Sequence, residues 1–255
     1  MNERTSQGDS TQIYFHLHHI VQNVPEFELR VTNVKFLESK LSAVFRKLDF
    51  QSIAIRNWDD VEKSLEIYPE VSILPKIDRN QDNSKGWIPG ELGIWFSNYG
   101  AARAFNEVSM NPGDICLLFE DDVWLNVDQG GVLELIPQWI DLLPTNWDYF
   151  NLFVIEPERS HYDLIKHGNI NNTHSQNFSR TCAVAIAWSK KGIKKLGELA
   201  HSGINNPFDI QVFSTPELNG FTLLPNKQGG VSYFSELQYM AYSTIRSSDI
   251  RFDNL

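Results

Sequence analysis

Cysteine is scarce in this 255-residue chain, which has only Cys116 and Cys182, each set inside an apolar run. That excludes a disulfide-framed scaffold. Buried free thiols of a reducing compartment are the simplest reading, with a single disulfide left open. Positive charge is short as well: 22 Lys and Arg face 32 Asp and Glu, a net charge of −10. A duplex partner would need clustered cations to neutralise phosphates, so no nucleic acid is expected. Lys190-Lys191 with Lys194-Lys195 reads as the solvated face of a helix. Long hydrophobic runs are missing too, and no stretch approaches the roughly 20 residues of a membrane span. Residues 1–12 lack the apolar segment of a signal peptide and read as a disordered tail. Without that signal the sequons at Asn171 and Asn177 carry little meaning.

What is present is a globular composition, 42% hydrophobic with seven tryptophans, in a chain long enough for one large α/β domain or two small ones. The most informative stretch is Ile115-Cys116-Leu117-Leu118-Phe119 followed by Glu120-Asp121-Asp122-Val123. Five apolar residues without polar alternation predict a strand buried on both faces, as in the middle of a parallel sheet. Three adjacent anions cannot be buried without partners. They are therefore expected at the strand's open end, facing water, a cation or a ligand. A hard divalent cation such as Mg²⁺ or Mn²⁺ suits them, because it takes one or two carboxylates and fills its other positions with water and phosphate oxygens. A solvated loop or helix cap accounts for the same acids but not for the sharp boundary with the apolar run.

The rest of the chain alternates strand and helix signals. Ile13 to Ile20 predicts a first strand carrying His16, His18 and His19, and in an extended chain His16 and His18 share a face while His19 points away. These read as structural histidines before ligands. Phe36 to Leu48 shows a helical stripe and Ser52 to Ile55 a second, parallel strand. Residues 78–86 read as a loop, 94–108 as a helix with small residues at Gly100-Ala101-Ala102, and Asn111-Pro112-Gly113-Asp114 as a turn into the central strand. Further on come a helix at 132–143, a strand at 147–155, a polar lid or loop at 167–180 and a strand at 181–188. Ser189 caps a helix to about Ala200. Asn206-Pro207-Phe208-Asp209 opens a short helix, 221–225 is a strand, and 226–242 is a loop. The sum is an α/β fold.

The order of several short motifs resembles the family-25 glycosyltransferases, which include lipooligosaccharide and procollagen galactosyltransferases. The motifs are Gly90-Glu91-Leu92-Gly93 with Ser97, the strand ending Glu120-Asp121-Asp122-Val123, Ser189-Lys190-Lys191-Gly192, Pro207-Phe208-Asp209, and Pro225 with Gln228 and Ser232. They cover roughly residues 13–235. The resemblance implies a GT-A type fold, a Rossmann-like mostly parallel sheet flanked by helices, in one domain over residues 13–245 with a tail at 246–255. It implies a UDP-sugar donor, galactose by default, a glycan, lipid-linked glycan or glycoprotein acceptor, and transfer with inversion. Mn²⁺ or Mg²⁺ would be held by Asp121 and Asp122, with Glu120 orienting them and Asp121 also reaching the donor. Glu91, Gln228 and Ser232 would complete the donor site. The general base would be Asp209, or alternatively Glu156 at the end of the 147–155 strand; a plain helix cap is the competing role for Asp209. Trp87, Trp95 and Trp124 are candidates to stack on a sugar or base, or else core residues. The expected location is cytoplasmic, peripheral at a membrane surface for a lipid-linked acceptor.

The chain departs from that family at three places. His16-Leu17-His18 stands where the family usually has Asn-Leu-Asp, Asn98 follows Ser97 where it has His, and Ala183 and Ile186 replace Thr and Tyr. Two other readings of the acidic strand end remain. One is a catalytically silent member that binds a nucleotide sugar or glycan. The other is a metal-dependent phosphohydrolase or nucleotidyltransferase.

Overall fold

The computed structural model describes residues 11–18, 28–52, 54–55, 57–74, 89–121, 123–124, 132–152, 162–166, 185–225 and 242–243. The apolar run forms the expected strand, β3 (Ile115–Glu120), and it is buried on both faces. Ile115, Leu117 and Phe119 join one core cluster, while Cys116 and Leu118 join the other. This is the period-2 alternation of a strand sandwiched between two helical layers. Cys116 is a free thiol whose pKa burial pushes up.

Around β3 lie β1 (Ile13–His18), β2 (Arg46–Lys47), β5 (Tyr149–Asn151), β6 (Tyr162–Lys166), β7 (Ala185–Ser189) and β8 (Gly220–Pro225), in the order β2-β1-β3-β7-β5-β8-β6. Strands β1, β2, β3, β5 and β8 run one way, and β7 and β6 run against them. The sheet is thus mixed and mostly parallel, but β3 has one parallel and one antiparallel neighbour, and the central strand β7 runs against both of its neighbours. A small second sheet pairs β4 (Val123–Trp124) with β9 (Tyr242–Ser243).

Helices α1 (Glu28–Ser42) and α4 (Val132–Asp141) cover the face built from Phe15, Leu17, Leu117 and Phe119. The other face packs on α2 (Trp58–Ile67), α3 (Pro89–Val108), α5 (Lys190–Ser202) and α6 (Phe208–Ser214). Among the described residues, no helix is long and apolar enough to cross a membrane.

Several boundaries differ from the sequence reading for identifiable reasons. The second strand is Arg46–Lys47, whereas Ser52, Ala54 and Ile55 carry no strand pairing, and the preceding helix ends at Ser42. Phe45 and Leu48 are buried from either side of a two-residue edge strand, so their spacing imitates a helical stripe. Charged Arg46 and Lys47 suit a strand with a solvent edge. Helix α3 starts at Pro89, earlier than predicted, because proline is well placed at a first helical position and Gly90 and Gly93 do not stop it. Helix α2 has no counterpart in the sequence reading, although Asn57 is a standard N-cap: the Asp60 N–H donates to its Oδ1 at 3.0 Å. Strand β6 has no counterpart there either. Gln12, assigned to a tail, is held in the fold, its N–H donating to Asp114 Oδ1 at 2.9 Å. The predicted loop 78–86, the 167–180 segment, Cys182 and both sequons lie outside the described residues.

The Asn111–Asp114 turn forms as expected and shows why an acid ends it. Asp114 is buried, and its carboxylate accepts from the N–H groups of Gln12 and Asn111 and from Ser109 Oγ. Ser189 caps α5 by accepting from the Gly192 N–H at 3.0 Å. Gly192 has its own role, because a Cβ there would lie 2.0 Å from the Asp148 carbonyl oxygen. Gly192→Ala is therefore expected to push α5 off the sheet at a cost of about 2 kcal/mol or more, the overpacking range. A urea midpoint unchanged from the native chain would contradict that close approach.

Candidate functional site

The sheet order places a topological switch at β1. The chain leaves β1 for β2 on one side and later reaches β3 on the other, so the crevice outside the carboxyl ends of β1 and β3 is where an open α/β sheet takes its ligand. The acidic run ends β3 at that crevice. Glu120 is half-buried and Asp121, immediately after the strand, is 1% exposed, so Asp121 does not face water as the sequence suggested. The parallel register sets His18 directly opposite Glu120. By strand alternation both side chains belong to the α3 face, with Tyr14 and His16 on β1 and Cys116 and Leu118 on β3. Asn151 closes β5 at the same edge and is also buried.

The two histidines are both buried, but they differ in how they are satisfied. His16 Nε2 sits 2.8 Å from Ser52 Oγ, and its ring packs against Phe50 with centroids 4.9 Å apart. His18 packs edge-on against His16 at 5.0 Å, and neither of its ring nitrogens has a hydrogen-bond partner. Burial lowers the pKa of His18 to about 4, an effect partly offset by the Asn98 side chain beside it. For His16, burial followed by the neighbouring His18 and Lys47 charges drives the pKa well below the ordinary value. Both rings are neutral at pH 7. The expected shared face is confirmed, and Asn98, which follows Ser97 on α3, is the α3 residue that meets His18.

A cavity of about 420 Å³ opens beside β1, between α1 and the chain following β2. His16, Ser52, Phe50, Gln51 and Asp49 line it, and the Lys47–Glu38 ion pair flanks it. Its size falls within the range of small-molecule sites.

Of the predicted donor and base residues, Glu91 lies in the first turn of α3 and is half-buried. Asp209 lies in the first turn of α6, but it is not the cap. Pro207 holds that position without a side-chain bond, and the Asp209 carboxylate accepts from the adjacent Ile210 N–H at 2.8 Å and from its own backbone N–H. Burial raises the Asp209 pKa against the pull of those backbone contacts. A carboxylate of raised basicity that does not serve as the cap is what a general base requires. Its neighbour Gln211 is structural: Oε1 accepts from the Asn205 and Asn206 N–H groups, and Nε2 donates to Gly203 O. Asp122, Glu156, Gln228 and Ser232 lie outside the described residues, as does Trp87. Trp95 is a core residue, fully buried with Nε1 donating to Asn206 O at 2.9 Å, and is no stacking platform.

Among the described residues, no three His, Cys, Asp or Glu side chains gather as a metal cluster. One or two carboxylates suffice for a hard cation when phosphate oxygens and water supply the rest, and the described carboxylates of the acidic run are Glu120, half-buried, and Asp121, buried. His16, bonded to Ser52, is a structural histidine as the sequence reading had it, and the meeting of His18 with Asn98 of α3 is what that reading did not place. The signal for the histidines was two polar residues two apart on a strand otherwise buried. Comparison with models of known protein families finds none that matches the chain, and comparison with curated proteins finds no match either.

Proposed function

We propose that this chain is a metal-dependent glycosyltransferase that moves a sugar, galactose by default, from a UDP-sugar to a hydroxyl of a glycan, lipid-linked glycan or glycoprotein acceptor, with inversion, on a GT-A type fold. The observation that carries the reading is the position of Glu120-Asp121, at the carboxyl end of β3 and at the topological switch of the sheet. The order of the five short motifs supplies the reaction class.

The divalent ion, Mn²⁺ or Mg²⁺, would be held by Asp121 and Asp122 and would stabilise charge developing on the diphosphate leaving group. The rest of the work falls to the chain. Glu91, Gln228 and Ser232 position the donor. Asp209 accepts the proton of the acceptor hydroxyl as the new glycosidic bond forms, and its partial burial keeps that carboxylate basic. Glu156 is the alternative base. The cytoplasm, at a membrane surface for a lipid-linked acceptor, is the setting this chemistry suits.

The test is UDP release from a panel of UDP-sugars with Mn²⁺, with and without chelator, for the native chain, Asp122→Asn and Asp209→Asn. One donor is expected to give chelator-sensitive release that Asp122→Asn abolishes. Asp209→Asn should lower acceptor-dependent turnover by about 10²-fold to 10⁴-fold, the size of a general-base contribution. Neither release nor thermal stabilisation with any donor would overturn the reading. Stabilisation without release, with or without acceptors, would favour the silent binder, to which the two buried neutral histidines in place of Asn-Leu-Asp lend support. Hydrolysis or exchange of nucleotide without any sugar acceptor would instead point to the phosphohydrolase or nucleotidyltransferase.

A further inference from the structure

The outer edge of β1 is closed by a neighbour for only part of its length. Gln12 O accepts from the Ile115 N–H at 3.0 Å and Phe15 O from the Leu48 N–H at 2.8 Å, so even-numbered residues of this strand turn their backbone groups to β3 and odd-numbered ones turn theirs to β2. Leu17 is next in the odd series, within the strand and in register with Phe119, so its N–H and C=O face outward. Strand β2 ends at Lys47, and residues 48–52 carry no strand pairing. Among the described residues no hydrogen bond reaches the Leu17 N–H or C=O, although Leu17 is only 9% exposed. Buried backbone groups are nearly always paired, so this adjacent donor and acceptor call for a partner. The space beside them is the cavity of about 420 Å³, which Leu17 lines.

The fold sets the shape of that partner. An outward backbone pair lies in the plane of the sheet, so whatever meets it lies in that plane too, where the next strand would run. Both flanking layers are apolar. Val34 of α1 belongs to the core cluster on one face of the sheet, Phe50 packs against the cluster on the other, and both line the cavity. The slot therefore suits a flat group with two apolar faces and an acceptor beside a donor on one edge. Around it Glu38 and Asp49 outnumber Lys47, which admits an uncharged ring and disfavours a phosphate. His16 and Ser52 bond to each other and form structural lining.

We infer that this cavity holds the heterocyclic base of a nucleoside, with the donor–acceptor edge of the base paired to the N–H and C=O of Leu17 in place of a strand. A nucleobase is flat, presents two stacking faces and carries a donor next to an acceptor on its edge. The inference rests on the nucleotide-sugar reading for the choice of uracil, whose O4 and N3–H match the Leu17 N–H and C=O.

The experiment uses the full native chain and free nucleosides, which carry no phosphate and need no metal. Labelling with ¹³C-carbonyl histidine and ¹⁵N-leucine isolates the Leu17 amide in the magnetic resonance spectrum, because His16-Leu17 is the single His-Leu step in the sequence. Uridine is expected to bind and to shift that resonance. Its analogue 3-methyluridine, in which a methyl group replaces the N3 proton, should bind at least about 10-fold more weakly, the discrimination typical of a two-bond edge contact. Guanosine and 1-methylguanosine make the same comparison for a purine, and binding with methyl sensitivity in that pair alone keeps the base site while replacing uracil. A Leu17 amide that no nucleoside shifts, or equal affinity for a nucleoside and its N-methyl partner, overturns the inference. Failure of the two readings is separable. UDP release from a UDP-sugar that uridine does not compete with sinks the base site alone, and nucleoside binding at Leu17 without turnover of any nucleotide sugar sinks the transferase alone.

Discussion

Lys195→Met is expected to cost about 3 kcal/mol of folding stability, the lower end of the loss on removing one partner from a buried ion pair. Asp148 is 0% exposed, and its Oδ2 receives Lys195 Nζ at 2.5 Å and the Asn219 N–H at 2.7 Å. Lys195 also donates to Glu217 O at 2.7 Å, so one ammonium ties α5 to both of the segments that enter β5 and β8. Methionine keeps most of the aliphatic stem and deletes only the charge, leaving a buried carboxylate with a single N–H donor on Oδ2 and none on Oδ1. Because Lys195 keeps 25% side-chain exposure, water can enter and soften the loss, which is why the lower figure applies. Adding Asp148→Asn removes the stranded charge while retaining an acceptor for Asn219, and should recover about half of the cost in a double-mutant cycle. Urea denaturation at pH 7 measures both. A Lys195→Met chain within about 0.5 kcal/mol of native would show that the pair does not hold this corner.

Acid is expected to destabilise the metal-free chain well above the range in which carboxylates titrate. His18 has a folded-state pKa of about 4 against an ordinary value of 6.5. Between those values the unfolded chain binds a proton that the native chain refuses, so stability falls as pH drops from 6.5 to 4. The loss is about 3 kcal/mol for this ring, at about 1.4 kcal/mol per unit. His16 acts in the same direction. Below that window Asp114 and Glu70 contribute further loss. Burial would raise both, but hydrogen bonds to Asp114 from backbone and Ser109, and to Glu70 from Tyr99, hold them below the usual range. Asp209, raised by burial, opposes the trend through one proton. Denaturation curves at pH 7, 6, 5 and 4.5 in chelator should show the slope, and His18→Phe should lower it by about one proton. An unchanged slope in a folded His18→Phe chain would mean that His18 is already protonated in the native state.

The residues themselves show which kinds of information reached the surface of the sequence. The 115–120 strand was legible because burial on both faces leaves an uninterrupted apolar run, a local pattern needing no knowledge of neighbours. The Ser189 cap and the Asp114 turn were legible for the same reason, since each bonds to a backbone group within five residues. Edge strand β2 was not, because two charged residues make a strand only by pairing with Tyr14 and Phe15. Helix α2 was missed although Asn57 and Asp60 carry its cap; the apolar residues just before it imitate a strand, and Arg46 and Lys47 take the pairing edge of β1 instead.

At the candidate site the division is sharper. Composition and the Glu120-Asp121-Asp122 run were enough to place an acidic cluster at the end of a buried strand and to argue for an α/β architecture, because burial and charge are properties of residue type. Tertiary structure alone decided that β7 runs against β3, that Asp121 is buried, that His18 stands opposite Glu120, and that Asn98 meets it from α3. Strand direction and register depend on how distant segments pair, and the pKa of a histidine depends on how much water that pairing excludes. Neither is carried by any residue's own chemistry.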